Sequence, residues 1–248
     1  MARKRFERAV IVGASSGIGA ETAKHLAARG CAVALLARRL VDLETVAGAI
    51  RAAGGTAFVY AHDVTEYDAV PALFQSVCRD LGGCDAVIYA AGVMPRVSAN
   101  EYDFAKDSAM IAVNVCGAVA WFNEAAVRFA AAGEGTIVGI GSVSGDRGRR
   151  GQPVYCATKA ALETYLEALR NRVGRLGVRV VTVKPGPVDT PMTQGLTLPL
   201  LLPAPEAARQ IVAVAESGAR VAYVPGVWRY LMAVIRAIPS PVFQKMNI

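Results

Sequence analysis

Residues 8–39 read "RAVIVGASSGIGAETAKHLAARGCAVALLARR". An apolar run of strand length, a glycine-rich turn, a stretch of helical period closed by Gly30 and a second apolar run follow one another without interruption. That order describes a βαβ unit and therefore a parallel sheet, because the helix carries the chain back to begin the next strand at the same end. The turn sets Gly13, Gly17 and Gly19 between strand and helix. Glycine there permits a tight bend and a close backbone approach, and the helix N-terminus offers free N–H groups and the positive end of its dipole. The unit is a candidate bed for a dinucleotide pyrophosphate.

The same beat runs on through the chain. "LVDLETVAGAIRAAGG" reads as a helix, "TAFVYAHDV" as a strand, "YDAVPALFQSVCRDLGG" as a helix and "CDAVIYAAG" as a fourth strand. A long helix is predicted over about 100–132, then "GTIVGIGSV" as a strand, "PVYCATKAALETYLEALRNRVGRLG" as a helix and "VRVVTVKPG" as a sixth strand. Beyond it, "LTLPLLLPAP" reads as a mobile loop, "PEAARQIVAVAESG" as a helix, "RVAYVP" as the last strand and "VWRYLMAVIRAIP" as a terminal helix. No linker, repeat or low-complexity segment intervenes. The expectation is one α/β domain over 1–248, a doubly wound, seven-stranded parallel sheet flanked by helices, with a substrate loop and helix near 191–217 and an amphipathic helix near 227–238.

With 54% hydrophobic and 19% charged residues in 248, the chain can bury a large core, which excludes a disordered protein. A net charge of +7 favours anionic partners, but the basic residues are scattered and no nucleic-acid-reading motif is present, so nucleic acid is not expected. Nucleotide phosphates, acidic substrates and a lipid surface all fit that charge. Cys31, Cys78, Cys84, Cys116 and Cys156 are odd in number and lack CxxC spacing, which argues against a disulfide framework and a zinc site and suits a reducing cytosol. His25 and His62 stand alone, as surface or structural residues, and no metal is expected. The N-terminal "MARKRF" lacks the apolar core of a signal peptide, and no charge-free run of eighteen apolar residues occurs.

Tyr155 and Lys159 lie four positions apart in a predicted helix, so their side chains share a face and the ammonium can favour the phenolate, drawing a reference pKa of about 10 toward working pH. Tyr155 is then a general acid/base. Ser142, thirteen residues earlier at a strand end, can hold a substrate oxygen against it. The end of the second strand reads Ala37-Arg38-Arg39, with no acidic side chain to receive a ribose 2′-hydroxyl and two guanidiniums suited to a 2′-phosphate, so NADP(H) is expected over NAD(H).

The glycine turn, Asn114 in "AVNV", Ser142, Tyr155-Cys-Ala-Thr-Lys159 and "PGPVDT" at 185–190, in that order over roughly residues 8–225, resemble the short-chain dehydrogenase/reductases. The resemblance implies hydride transfer between nicotinamide and a carbonyl/alcohol pair, with Asn114, Ser142, Tyr155 and Lys159 catalytic; Asn114 would kink its helix and hold a water beside Lys159. It implies a cofactor site of Gly13, Ser15, Ser16, Gly17, Ile18, Gly19, Arg38, Arg39, Asp63, Val64, Ala91, Gly92, Tyr155, Lys159, Pro185, Gly186, Val188 and Thr190, with Asp63 and Val64 at the adenine and Thr190 at the carboxamide. It also implies a homodimer or homotetramer. One departure stands out: where the family has Asn-Asn-Ala-Gly, this chain has Tyr89-Ala90-Ala91-Gly92, which loses an amide that braces the central sheet.

Two basic regions remain. Arg147, Arg149 and Arg150 lie between Ser142 and Tyr155 and are expected to face an anionic substrate group. The stretch from Ser217 holds Arg220, Arg229, Arg236 and Lys245 without an acid, beside Trp228, Tyr230, Leu231, Met232, Ile235 and Ile238. Such a helix either contacts lipid at the membrane periphery or is buried against another subunit. These two segments resemble reductases of a keto-sugar linked to decaprenyl phosphate, implying a lipid-linked carbonyl substrate; an acyl or steroid ketone is the rival within enzymes. A catalytically idle dinucleotide sensor or scaffold is the rival outside them. A nucleotide-sugar epimerase or dehydratase would carry a Gly-x-x-Gly-x-x-Gly turn and a longer substrate region, and this chain has neither.

Overall fold

The computed structural model describes residues 5–98 and 100–246; residues 1–4 and 247–248, the two ends of the predicted 1–248 domain, lie outside the described residues. The chain forms β1 (Arg8–Val12), α1 (Gly17–Ala27), β2 (Ala32–Ala37), α2 (Leu40–Ala52), β3 (Ala57–Ala61), α3 (Val70–Asp80) and β4 (Ala86–Tyr89). Then come α4 (Phe104–Ile111), a π-helical turn (Ala112–Cys116), α5 (Gly117–Ala132), β5 (Gly135–Ile140), α6 (Pro153–Val173) and β6 (Val178–Pro185). The last part holds β7 (Val188–Asp189), β8 (Leu202–Pro203), α7 (Ala204–Ser217), β9 (Val221–Val224), α8 (Trp228–Ala237) and α9 (Ser240–Phe243).

Seven strands form one sheet in the order β3-β2-β1-β4-β5-β6-β9, every pairing parallel. Successive strand side chains point to opposite faces, and both faces are covered, so the central strands are mainly apolar instead of alternating with polar residues, β6 being the exception with Arg179, Thr182 and Lys184. Ala9, Ile11, Val33, Leu35 and Ile88 join one core with α1, α2 and α7, while Val10, Val12, Leu36, Val87 and Tyr89 join the other with α3, α5 and α6. The winding reverses beside β1, whose neighbours are β2 and β4, and such a reversal leaves a crevice beyond the carboxyl ends of the strands.

Two predicted features shift, and one element is new. The long helix begins at Phe104, not near 100, because the Asp103 carboxylate accepts the N–H groups of Ala105 (2.9 Å) and Lys106 (3.2 Å) as an N-cap. Helix Phe104–Ala132 is long and apolar enough by composition to cross a bilayer, yet Trp121, Phe122, Ala125 and Phe129 are buried in the core beneath the sheet. The predicted loop at 196–205 ends earlier, since Leu202 and Pro203 pair with Val188 and Asp189 and Ala204 opens α7. The short helix α9 had no sequence signal beyond Pro239 before its first residue.

Candidate active site

The glycine turn is shaped by what touches it. Gly13 has φ +91°, and a Cβ there would stand 2.4 Å from the Ala91 nitrogen; one on Gly19 would stand 2.1 Å from the Gly13 carbonyl oxygen. Turn, helix and the end of β4 therefore close on one another with no room for a side chain. The N-cap of α1, Ser16, makes no side-chain capping bond, so the first-turn N–H groups stay open to an anion. A cleft of about 790 Å³ opens over this turn, walled by Ser15, Ile18, Arg38, Arg39, Val64 and Thr190 among others. Arg39 donates to the hydroxyls of Ser15 (3.1 Å) and Ser16 (3.2 Å) and pairs with Asp42 at 2.6 Å. Arg38 lies 3.6 Å from the Asp63 carboxylate. Asp63 stands outside the wall of the cleft. Burial works to raise its pKa, but bonds from the Thr65 N–H and hydroxyl, with Arg38, outweigh burial and hold it below the usual carboxylate value.

A second chamber of about 570 Å³ adjoins the first, sharing Ile18, Ala90, Gly92, Met94, Thr190 and Met192. Ser142, Tyr155, Lys159, Pro185, Gly186 and Val188 line this chamber. Ser142 lies just beyond β5, and Tyr155 and Lys159 on the first turns of α6, both buried. Burial pushes the Tyr155 phenol up to about 12 against the pull of Ser142 and Arg149, and burial lowers the Lys159 ammonium to about 8 against the pull of Glu163. In this structure burial outweighs the ammonium's pull, and the phenol stands above its ordinary value. Lys159 donates to the Ile140 carbonyl at 2.9 Å and stands 5.7 Å from the tyrosine ring centroid, too far to offset the lost solvation of a phenolate.

Asn114 sits in the π-helical turn. Its amide oxygen accepts the Val93 N–H (2.8 Å), and its NH₂ donates to the Val93 carbonyl (3.0 Å) and the Thr158 hydroxyl (3.2 Å). A Cβ on Gly92 would lie between the Asn114 oxygen (3.4 Å) and the Lys159 ammonium (3.7 Å). Tyr89 makes a tie of a different kind, from β4 to the π turn. The Tyr89 hydroxyl donates to the Val113 carbonyl at 2.6 Å, satisfying an acceptor in the π turn, and Gly117 leaves room for it.

Sequence reasoning missed a charged string behind Ser142. The Glu163 carboxylate accepts the Ser142 N–H (3.1 Å) and pairs with Lys184 (2.8 Å); Lys184 reaches Asp146 (2.6 Å), which accepts the Tyr223 hydroxyl (2.8 Å). Cβ atoms on Gly141 and Gly145 would stand 2.6 and 2.7 Å from the Glu163 carboxylate, so both glycines make space for it. The three predicted anion-reading arginines separate. Arg147 donates to the carbonyls of Ile235 and Ile238 (2.7 Å for the latter) at the end of α8 and stacks on Phe243 at 3.8 Å, so the acceptors left free at a helix end consume it. Arg150 is exposed and outside the chamber wall; only Arg149 lines it, donating to the Ser144 hydroxyl. Trp228 closes the far side, its ring over Gly186, where a Cβ would stand 2.0 Å from the indole nitrogen.

A doubly wound sheet, a glycine turn on a helix N-terminus and a buried Tyr-Lys pair at the adjoining chamber define an oxidoreductase of the dinucleotide-binding class. A family model described as short chain dehydrogenase matches residues 7–199, and the chain belongs to that family. It is 36% identical over 203 residues to cis-4-hydroxycyclohexanecarboxylate dehydrogenase of Sinomonas cyclohexanicum, covering 82% of this chain and 80% of that one. An uncharacterised oxidoreductase of Mycobacterium tuberculosis is 32% identical over 239 residues, 96% of each chain. Among solved structures, a short-chain dehydrogenase from Sphingobium yanoikuyae in complex with NADPH superposes with a TM-score of 0.82 at 25% identity, covering 95% of this chain and 97% of that one.

Proposed function

We propose that this chain is an NADP(H)-dependent carbonyl reductase with Tyr155 as proton donor. The observation that carries the reading is the convergence of Ser142, Tyr155 and Lys159 on the chamber that opens into the glycine-turn cleft. The cleft fits a dinucleotide: Gly13 and Gly19 form a cradle that a Cβ would fill, and the uncapped end of α1 faces it. Gly13, Ser15, Ser16, Gly17, Ile18 and Gly19 would hold the diphosphate, Arg38 and Arg39 a 2′-phosphate, Val64, Ala91 and Gly92 the adenosine side, and Pro185, Gly186, Val188 and Thr190 the nicotinamide side. NAD(H) fits less well, because no carboxylate ends β2. When bound, the nicotinamide supplies the hydride. Ser142 orients the substrate oxygen, and the Tyr155 hydroxyl, kept protonated by burial, gives its proton to that oxygen as charge develops. Lys159 would also hold the nicotinamide ribose and, with Asn114 keeping a water beside it, would relay a proton from solvent back to Tyr155. Asp63 belongs behind the adenosine, through Arg38.

Absorbance of NADPH, followed over a panel of cyclic and aliphatic ketones, tests the reading. Turnover that Tyr155→Phe removes supports it; NADPH binding without turnover of any ketone favours an idle sensor. The lipid-linked keto-sugar is a second reading. It is favoured by α8, which buries Trp228 and Met232 but leaves Tyr230 and Val234 outward near Arg229 and Arg236. Flotation with vesicles of anionic lipid, lost on Tyr230→Ser with Val234→Ser, would support it; no flotation would sink it. A second copy of the chain is assigned to the face of α4 and α5 where Phe104 and Val127 are exposed, and light scattering at a dimer or tetramer mass tests this.

A further inference from the structure

The chamber beside Tyr155 carries more positive charge than proton transfer uses. Arg96, Arg149 and Lys159 line it, and no aspartate or glutamate does among the described residues. Lys159 is spoken for by Ile140 and Tyr155. Arg96 donates to the Gln194 carbonyl at 3.0 Å and Arg149 to the Ser144 hydroxyl, both neutral acceptors. Neither forms an ion pair among the described residues, whereas Arg147 and Lys184 nearby are consumed by carbonyls and carboxylates. Glu163 is turned away behind Gly141 and Gly145.

The rest of the wall is apolar, with Met94, Val97, Leu196, Leu198, Pro199 and Trp228. A guanidinium with only neutral partners keeps its charge unsatisfied; Arg149 is half-buried among these apolar groups, where reduced solvation strengthens its attraction for an anion, while Arg96 is exposed at the mouth and adds a weaker, solvent-screened pull. The diphosphate bed lies in the other cleft, around Gly13 and Arg39, so the cofactor's phosphates do not account for this pair. The chamber's volume of about 570 Å³ suits one small ligand.

We propose that Arg149 and Arg96 form an anion subsite, and that the substrate is a carbonyl compound with an apolar body and a carboxylate or phosphate at the end away from the carbonyl. Arg149 supplies the inner contact beside Ser144, and Arg96 the outer one at the rim formed with the 194–195 turn. The carbonyl part rests on the reductase reading; the anion subsite stands without it.

Calorimetry with the whole chain and NADP⁺ separates the two. The probes are cyclohexanecarboxylate, cyclohexylmethyl phosphate and the neutral cyclohexanecarboxamide, none of which can be reduced. At least one anion is expected to bind about tenfold or more tighter than the amide, the size of a charge-assisted bond, and to weaken as salt is raised. The carboxylate and phosphate arms show which anion the site takes. Arg149→Gln and Arg96→Gln, each folded by circular dichroism, are expected to remove that advantage and leave amide affinity unchanged. Anion binding no tighter than amide binding, including none at all, overturns the proposal, as does an advantage that survives the double variant. Reduction of 4-oxocyclohexanecarboxylate is measured in parallel: anion binding without turnover counts against the reductase reading alone.

Discussion

Burial pushes the Tyr155 phenol up to about 12 and keeps it protonated at neutral pH, the state that the proposed reading needs in a proton donor. Tyr155→Phe is therefore expected to lower kcat by about a thousandfold, within the usual range for one acid/base group, while NADPH affinity by fluorescence titration stays within a fewfold. Lys159→Ala should lower both. Turnover of Tyr155→Phe near wild type would remove the assigned proton donor. If Arg38 and Arg39 hold the 2′-phosphate as proposed, Arg38→Asp with Arg39→Ala should reduce the NADPH to NADH ratio of kcat/KM about tenfold or more, each charge-assisted bond contributing about 1.5–3 kcal/mol. An unmoved ratio would show that both serve only Asp63, Asp42 and the turn serines. His62 acts on stability. It is buried with Nε2 unpartnered and its edge on Trp121 at 5.6 Å, and burial lowers its pKa against the pull of Glu66. The unfolded chain then binds the proton more readily, so stability is full above the unfolded value of 6.5 and declines as pH falls from there toward the lower folded value. Urea midpoints measured between about pH 7.5 and 5.5 should fall more steeply for wild type than for His62→Leu; parallel slopes would place acid sensitivity elsewhere.

Helix α6 presents Tyr155, Lys159 and Glu163 at four-residue steps, one turn after another on a single face. The first two were legible because their spacing has a chemical use beside a serine thirteen residues earlier. Glu163 was not, since an acid four residues after a lysine on a helix is ordinarily a solvated pair, and its real partners come from β5, β6 and the 145–146 turn. Its charge faces Lys184, Asp146 beyond it and the Ser142 N–H, and it raises both Tyr155 and Lys159. Glu163→Gln keeps an oxygen for Ser142 but removes that charge, so both groups should titrate at lower pH. In the reducing direction, the loss of kcat/KM on the alkaline side should move toward neutrality. A lowered kcat with an unshifted profile would mean that Glu163 sets only the shape of the Ser142 turn. The π turn was legible through the resemblance alone; what holds it, the Tyr89 hydroxyl on Val113, follows from a residue whose sequence reading was a loss.

At the scale of the molecule, the sheet was readable from its apolar runs because both faces of the central strands are buried and those strands are mainly apolar along their length. The glycine turn fixed the end at which the cleft opens. The segment after β6 was less readable, because β7 and β8 are two residues each and α9 is four, too short to carry a period. The triple-arginine loop was misread in part since a sequence does not show that the carbonyls ending α8 will arrive beside Arg147 from 88 residues away. The strand order β3-β2-β1-β4-β5-β6-β9 also bears on how the chain can be assembled as it leaves the ribosome. β2 joins β1, β3 joins β2, β4 takes the free side of β1, and β5, β6 and β9 each extend the margin left by the strand before, so no strand has to be inserted between two already paired. Vectorial synthesis can therefore build the sheet outward from its first strand without reopening it. Ribosome-bound chains of increasing length should gain protease resistance in steps as β4, β5 and β6 emerge; resistance appearing only once β9 is complete would mean that the sheet waits for its last edge and closes as a single cooperative unit.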